Sequence, residues 1–228
     1  MEIKQYLTTV NYTPSTNKQN KYIVIHYTAN NGDTAQGNAN YFHSINRNAS
    51  ANYFVDENEI VQVVPDNYIA WHCGAKTYKH PYCRNNNSIG IEMCSRKDKK
   101  GNYYFKDGTV NNSIQLVCDL MNKYNIPIEN VIRHYDVTKK LCPLPYIDDA
   151  EWNKYKSLLR TALKGSNLED KKGEDKMYQN INEVPEWARN TINKLINKGC
   201  FPDVNKLALT NEMVRIFVIM DRWIGLKV

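Results

Sequence analysis

Tyr22–Tyr27 reads YIVIHY, a β-branched apolar run with one histidine near its far end. A short run of this kind bounded by polar segments is the pattern of a buried strand. Residues 34–46 follow with Ala39, Phe42 and Ile45 at helix-like spacing, and strand followed by helix implies the α/β class. Residues 53–56 and 59–64, separated by Glu57 and Asn58, read as a hairpin. Residues 65–87 form a long connection containing Asn, Pro and His. Connections of that length inside a domain are usually functional, so this one is expected to wall a site. Residues 88–94 (SIGIEMC) are a further strand. Ile114, Val117, Cys118 and Met121 repeat at i, i+3, i+4, i+7 and mark an amphipathic helix ended by Pro127. A short strand, Val131 and Ile132, then delivers His134, and residues 152–163 form a closing helix that packs.

The chain has 228 residues, which suits one domain of catalytic size with a smaller one appended. Hydrophobic residues make up 42% and charged residues 24%, which excludes the disordered class. No stretch approaches the ~20 consecutive apolar residues of a membrane helix, so no membrane insertion is expected. Residues 1–10 lack the basic flank and apolar centre of a secretory signal, so synthesis in the cytoplasm is expected. The six cysteines are read as reduced, because no export signal is present and the chain is too long to need covalent staples. The net charge is +6, with 20 basic against 15 acidic side chains in residues 1–164. That modest excess suits a polyanionic partner and, equally, a slightly basic enzyme without one.

His26 ends the first strand, His134 follows the last short strand, and Cys142 lies eight positions later in a Pro-rich loop. Two imidazoles and one thiolate from separate elements would leave one tetrahedral position open, the arrangement of a catalytic zinc site. Spacing alone leaves the bland readings standing: a strand-end histidine also serves as a hydrogen-bonded structural residue, and a single cysteine as packing. Copper also takes a His2Cys set, but a blue-copper site wants a weak axial Met near the last ligand, and Pro143, Leu144 and Pro145 offer none.

Four segments carry a resemblance. They are IVIHYTA at 23–29, NYFVDENEIVQVVPDNYIAWHCGA at 52–75, NNSIGIEMC at 86–94 and RHYDVTKKLCP at 133–143. In order and character they resemble the type 2 N-acetylmuramoyl-L-alanine amidases, a family that includes phage endolysins and peptidoglycan recognition proteins. The resemblance implies a central mixed β-sheet flanked by helices, with Zn2+ held by His26, His134 and Cys142. It implies hydrolysis of the amide between the lactyl group of N-acetylmuramic acid and the L-alanine of the stem peptide. Zinc would polarise the carbonyl and acidify water, Glu92 of IGIE would be the general base, and Lys140 would donate to the developing oxyanion. On alternation alone Glu92 also fits a solvent-facing strand residue, and Lys140 a solvated charge. Some relatives carry a Tyr just before the position of Asn52, where this chain has Ala51, which places the base at Glu92. His72, Trp71 and Asn52 are expected to bind substrate, with a structural role for His72 equally open; His43 and His80 receive no role. Peptidoglycan and its anionic wall polymers become the expected partners, and nucleic acid does not. A binding-only peptidoglycan receptor and an intracellular amidase recycling soluble muropeptides are the rival readings. Cys142 argues against the first and the appended C-terminal module against the second.

Residues 165–176 (GSNLEDKKGEDK) have almost nothing to bury and are expected to be a solvated linker between a catalytic domain at 1–164 and a small, mainly helical domain at 177–228. There Pro185 opens a helix with Trp187, Ala188, Thr191, Leu195 and Ile196 as its apolar stripe, stopped by Gly199. A second helix after Thr210 carries Met213, Phe217 and Met220, and both stripes are read as core. VPEWARNTINKLINKGCFPDV followed by LTNEMVRIFVIM resembles one S-layer-homology-like repeat, which implies binding to cell-wall polymers. Oligomerisation is the competing reading, since roughly 50 residues is marginal for an independent fold. Codons for Lys172, Gly173 and Glu174 can form a purine-rich ribosome-binding sequence just before Met177. An internal start there would supply a C-terminal fragment able to associate with the full chain, as an alternative to an ordinary homo-oligomer.

Overall fold

A computed structural model describes residues 2–169 and 177–224. The chain divides into two compact units, Met1–Lys164 and Gly165–Val228.

The YIVIHY run forms β3 (Tyr22–Tyr27), and Ile23, Val24 and Ile25 are completely enclosed. Each such side chain contributes roughly 1.5–3 kcal/mol by leaving water. On one side β3 pairs in parallel with β7 (Ser88–Met93), and on the other with β10 (Val131–Arg133). The expected hairpin is β4 (Tyr53–Val55) against β5 (Ile60–Gln62), antiparallel across the short connection 56–59. With β1 (Ile3–Gln5) the sheet has six strands in the order β1-β5-β4-β7-β3-β10. Only the hairpin is antiparallel, so the sheet is mixed, as the sequence implies.

Helices cover both faces. α1 (Ala35–His43) starts where the Thr34 side chain accepts from the Gly37 N–H at 3.0 Å. It stops before Ile45, which is exposed rather than part of a buried stripe. α2 (Asp107–Tyr124) buries Ile114, Val117, Cys118 and Met121 as read, together with Leu116 and Leu120. It ends at Asn125 in a left-handed conformation, two residues before Pro127. The long connection after the hairpin is anchored at Asp66. Its buried carboxylate accepts from Tyr53 Oη at 2.6 Å, Tyr124 Oη at 2.7 Å, Lys123 Nζ at 3.0 Å and Gln62 Nε2 at 3.2 Å.

The connection also contains β6 (Ile69–Ala70), paired with β2 (Tyr12–Thr13). A small ribbon of β8 (Arg96–Lys97) and β9 (Tyr103–Tyr104) precedes α2. α3 (His134–Thr138) follows β10 directly. The closing helix, α4 (Asp149–Glu169), is longer than read and runs through the first five residues of the expected linker. Extending a formed helix fixes one residue per added hydrogen bond, so a polar tail propagates it cheaply. The remainder of that linker, 170–176, lies outside the described residues and includes the codons before Met177.

In the second unit α5 (Glu186–Asn197) and α6 (Asn211–Ile224) pack around Val184, Ala188, Ile192, Leu195, Leu209, Val214 and Val218. Ala188, Thr191 and Leu195 of the expected α5 stripe are buried, whereas the expected α6 stripe is out of phase. Trp187, Met213 and Met220 are exposed, and the face of α6 turned to the core carries Val214 and Val218. Gly199, at φ +71°, follows α5 where a side chain would be strained.

Candidate metal centre

Sheet register builds the centre. His26 lies near the end of β3, and Arg133 pairs with Ile25 on the neighbouring strand, so His134, the next residue, emerges beside His26. The two imidazole rings are 4.6 Å apart, centroid to centroid. Cys142 returns to the same point because its carbonyl accepts from the Tyr135 N–H at 2.8 Å. Arg133 locks this return. It donates through Nε and Nη2 to Asp136, and through Nη1 to the carbonyls of Tyr146 and Ile147 and to Asp149. The strand that delivers one histidine is thereby tied to the segment just beyond the cysteine.

Ligand atoms of His26, His134 and Cys142 lie within 4.8 Å of one another, and all three residues are buried. Cys142 Sγ is 3.7 Å from His26 Nδ1. Tetrahedral zinc with bonds of about 2.0–2.3 Å places two such ligands roughly 3.5 Å apart. His134 Nδ1 is buried with no hydrogen-bond partner among the described residues, an expensive condition that a bound cation would relieve. Burial, then the charge of Lys140, lowers His134 to about 4, and burial holds His26 well below its ordinary value, so both offer neutral lone pairs. Burial pushes the Cys142 thiol up to about 12, so losing its proton there calls for an adjacent cation. The donor set, spacing and orphaned nitrogen fit zinc.

Glu92 is opposite His26 in the β3–β7 register, with Oε1 3.9 Å from His26 Nδ1. Its other oxygen, Oε2, is buried and without a hydrogen-bond partner among the described residues. Burial raises the carboxyl to about 8, opposed by Lys140 and reinforced by Asp33. Glu92 therefore turns toward the ligand group and is not a solvent-facing strand residue. Two cavities flank this point. One, of about 670 Å³, is lined by Tyr27, Asp33, Tyr41, Phe42, Glu92 and Cys142. The other, of about 560 Å³, is lined by Trp71, His72, Lys76, Asn85, His134 and Lys139. Lys140 lines both, and its charge acts on His26, Glu92, His134 and Cys142 alike.

Of the three residues expected to bind substrate, Trp71 does line a cavity, with its indole N–H donating to Thr13 Oγ1 at 2.9 Å. Asn52 does not. It is completely buried, its Oδ1 accepts from the Gly90 N–H at 3.0 Å, and its Nδ2 donates to the Val64 and Pro65 carbonyls. Its amide is spent holding the hairpin to β7. His72 reaches the cavity wall, but both its ring nitrogens are engaged internally, Nδ1 with His26 Nε2 and Nε2 with Ser88 Oγ, each at 3.0 Å. His80 Nδ1 accepts from the Tyr82 and Cys83 N–H groups and stays local. Arg133 and Asp136 were missed by sequence reading. Their signal was the RHYD tetrapeptide itself, in which Arg and Asp three apart bracket the first turn of a helix.

The fold and site define a mixed α/β domain whose sheet presents a His2Cys ligand group beside a carboxylate. A family profile described as N-acetylmuramoyl-L-alanine amidase matches residues 16–145, and the chain belongs to that family. It is similar to the amidase CwlL of Bacillus licheniformis, 39% identical over 140 residues, covering 57% of this chain and 38% of that protein. It is also similar to the amidase BlyA of Bacillus subtilis strain 168, 32% identical over 162 residues, covering 65% and 43%. The match therefore spans less than half the length of either relative. Among solved structures, PlyL superposes with a TM-score of 0.59 at 31% identity, covering 70% of this chain and 97% of PlyL. The catalytic domain of XlyA gives 0.58 at 30%, covering 69% and 98%.

Proposed function

We propose that this chain hydrolyses the amide between N-acetylmuramic acid and the L-alanine of the peptidoglycan stem, with zinc held by His26, His134 and Cys142. The observation that carries the reading is the convergence of three buried residues offering ligand atoms beside Glu92, whose Oε2 is buried with no hydrogen-bond partner among the described residues, in a chain of the amidase family. Zinc bound there supplies a Lewis acid that polarises the scissile carbonyl and makes water easier to deprotonate. With a cation held beside it to offset the burial that raises its carboxyl, Glu92 takes the proton of the attacking water on its carboxylate and returns it to the departing alanine nitrogen. Lys140 brings an ammonium to the oxygen on which negative charge develops.

The substrate straddles the centre. Lys76 and Lys139 give the cavity beside His134 a positive wall suited to the stem-peptide carboxylates. Tyr41 and Phe42 give the other an aromatic wall suited to a sugar ring.

Digesting purified cell walls with and without a chelator tests the reading. New L-alanine amino termini without new reducing sugars, abolished by chelation and restored by zinc, are expected. New reducing ends would make the enzyme a glycosidase, and walls left intact in zinc would favour a binding-only receptor.

The second unit serves as a wall-binding or oligomerisation module, for which the exposed Trp187, Met213, Ile216 and Met220 provide apolar surface. Wall binding by a fluorescent Glu92→Gln chain that is lost on Trp187→Ala supports the first use. Concentration-dependent mass with unchanged wall binding supports the second. Action on the wall makes the chain a lysin that reaches its substrate after release. No helix among the described residues is long and apolar enough to cross a membrane.

A further inference from the structure

We propose that His72 is a positioning residue that holds the proton of His26 on Nε2, and that Gly90 is the residue that makes room for it. This rests on the metal reading above but not on the identity of the substrate.

Hydrogen counting along one chain of contacts carries the inference. Ser88 has a single hydroxyl proton, and it goes to the Arg84 carbonyl at 2.6 Å. Ser88 Oγ can then only accept from His72, so the 3.0 Å contact requires a proton on His72 Nε2. In a neutral imidazole the other nitrogen is then an acceptor. His72 Nδ1 lies 3.0 Å from His26 Nε2, which must therefore carry the N–H. The lone pair of His26 is left on Nδ1, the nitrogen that faces Cys142 Sγ at 3.7 Å and Glu92 Oε1 at 3.9 Å. A peptide carbonyl four residues before Ser88, just ahead of β7, thus determines which nitrogen of His26 is offered to the metal. Ligating histidines generally fix their tautomer through a partner on the second nitrogen, and here that partner is another histidine, itself oriented by a serine.

Packing supplies a second, independent observation. A Cβ built on Gly90 would lie 2.5 Å from His72 Cγ and 2.8 Å from both Cδ2 and Nδ1. No side chain fits at that distance, so the ring is seated directly against the β7 backbone. The glycine of IGIE and the histidine of AWHCG, 18 positions apart, thus form one device. The sequence alone leaves His72 open between substrate contact and a structural role and gives Gly90 none.

The test uses the full chain without substrate, so failure of the amidase assay would not touch it. In the metal-free wild-type protein, nitrogen-15 histidine spectra should show His26 as the Nε2–H tautomer. His72→Leu should turn this into a mixture and weaken zinc binding about 10- to 100-fold in chelator competition. His72→Asn, whose side-chain oxygen can take the place of the Nδ1 acceptor, should recover most of that loss. Gly90→Ala should weaken zinc binding as His72→Leu does. An Nδ1–H tautomer in the wild type overturns the proposal without any variant. So does a folded His72→Leu protein that keeps wild-type zinc affinity and an unmixed His26 tautomer.

Discussion

Glu92 stands directly across the sheet register from His26, and its Oε1 lies 3.9 Å from the imidazole nitrogen that faces Cys142. The proposed base and the proposed ligand thus stand on the same pair of strands, and neither depends on a loop for its position. Removing the carboxylate charge while keeping its shape should then separate metal binding from turnover. Glu92→Gln is expected to retain stoichiometric zinc and lose roughly 100- to 10,000-fold in kcat, the usual range for a general base. Metal analysis beside a wall-digestion assay checks both halves, and full activity would move the base elsewhere.

Arg133 should matter to metal binding without touching the metal. Its guanidinium joins the start of α3 to Asp136, Asp149 and two carbonyls beyond Cys142. Arg133→Met would leave the Tyr146 and Ile147 carbonyls and the Asp136 carboxylate without this partner, at a cost of about 1–3 kcal/mol, and let His134 and Cys142 drift apart. A zinc affinity at least tenfold weaker and a lower urea midpoint are expected. Arg133→Lys should recover little of either, since a point charge cannot reproduce the fork. A stable Arg133→Met protein with unaltered zinc affinity would show that the two ligands are held by other contacts.

The residues that sequence reading placed well are those whose signal is local. β3 announces itself by an uninterrupted apolar run and α2 by its helical period, while the grouping of His26, His134 and Cys142 follows from the order of the motifs that carry them. β1, β2, β6, β8 and β9 are two or three residues long, too short to hold a period, and exist because a partner strand is present. α6 carries two apolar phases, Met213, Ile216 and Met220 beside Val214 and Val218, and only packing chose the second. The motifs place Asn52 at the substrate and leave His72 open between substrate and a structural role. The bonds that consume them run to residues 12 to 46 positions away, which no window of sequence displays.

A buried lysine gives the fold a pH signature away from the metal. Lys156 Nζ donates to the carbonyls of Ile128 and Val131, and burial lowers it from 10.5 to about 8. Below about pH 8 both folded and unfolded chains hold this proton. Between about 8 and 10.5 only the unfolded chain does, so the contribution of Lys156 to stability rises with pH across that window. Lys156→Met leaves the carbonyls unpaired and should cost about 1–3 kcal/mol at pH 7. The stability gap to wild type should widen between pH 7 and 9.5 in urea titrations. A gap that narrows would mean the folded state favours the charged lysine.

The positive wall of the cavity beside His134 should act on substrate affinity and leave the chemical step alone. Lys76, Lys139 and Lys140 are all exposed, but Lys76 and Lys139 line this cavity alone, whereas Lys140 also lines the cavity that holds Glu92. An exposed charge pairing with a substrate carboxylate is worth about 0.5–1 kcal/mol. Lys76→Ala and Lys139→Ala should each raise KM about two- to fivefold on a soluble muropeptide, and the pair about tenfold, with kcat within twofold of wild type. Salt screens such pairs over roughly 10 Å at 0.1 M, so added sodium chloride should raise the wild-type KM more than that of the double variant. Lys140→Ala, by contrast, should lower kcat about 100- to 1000-fold, as loss of an oxyanion donor does. Equal salt dependence in the wild type and the double variant would show that the peptide carboxylates bind elsewhere.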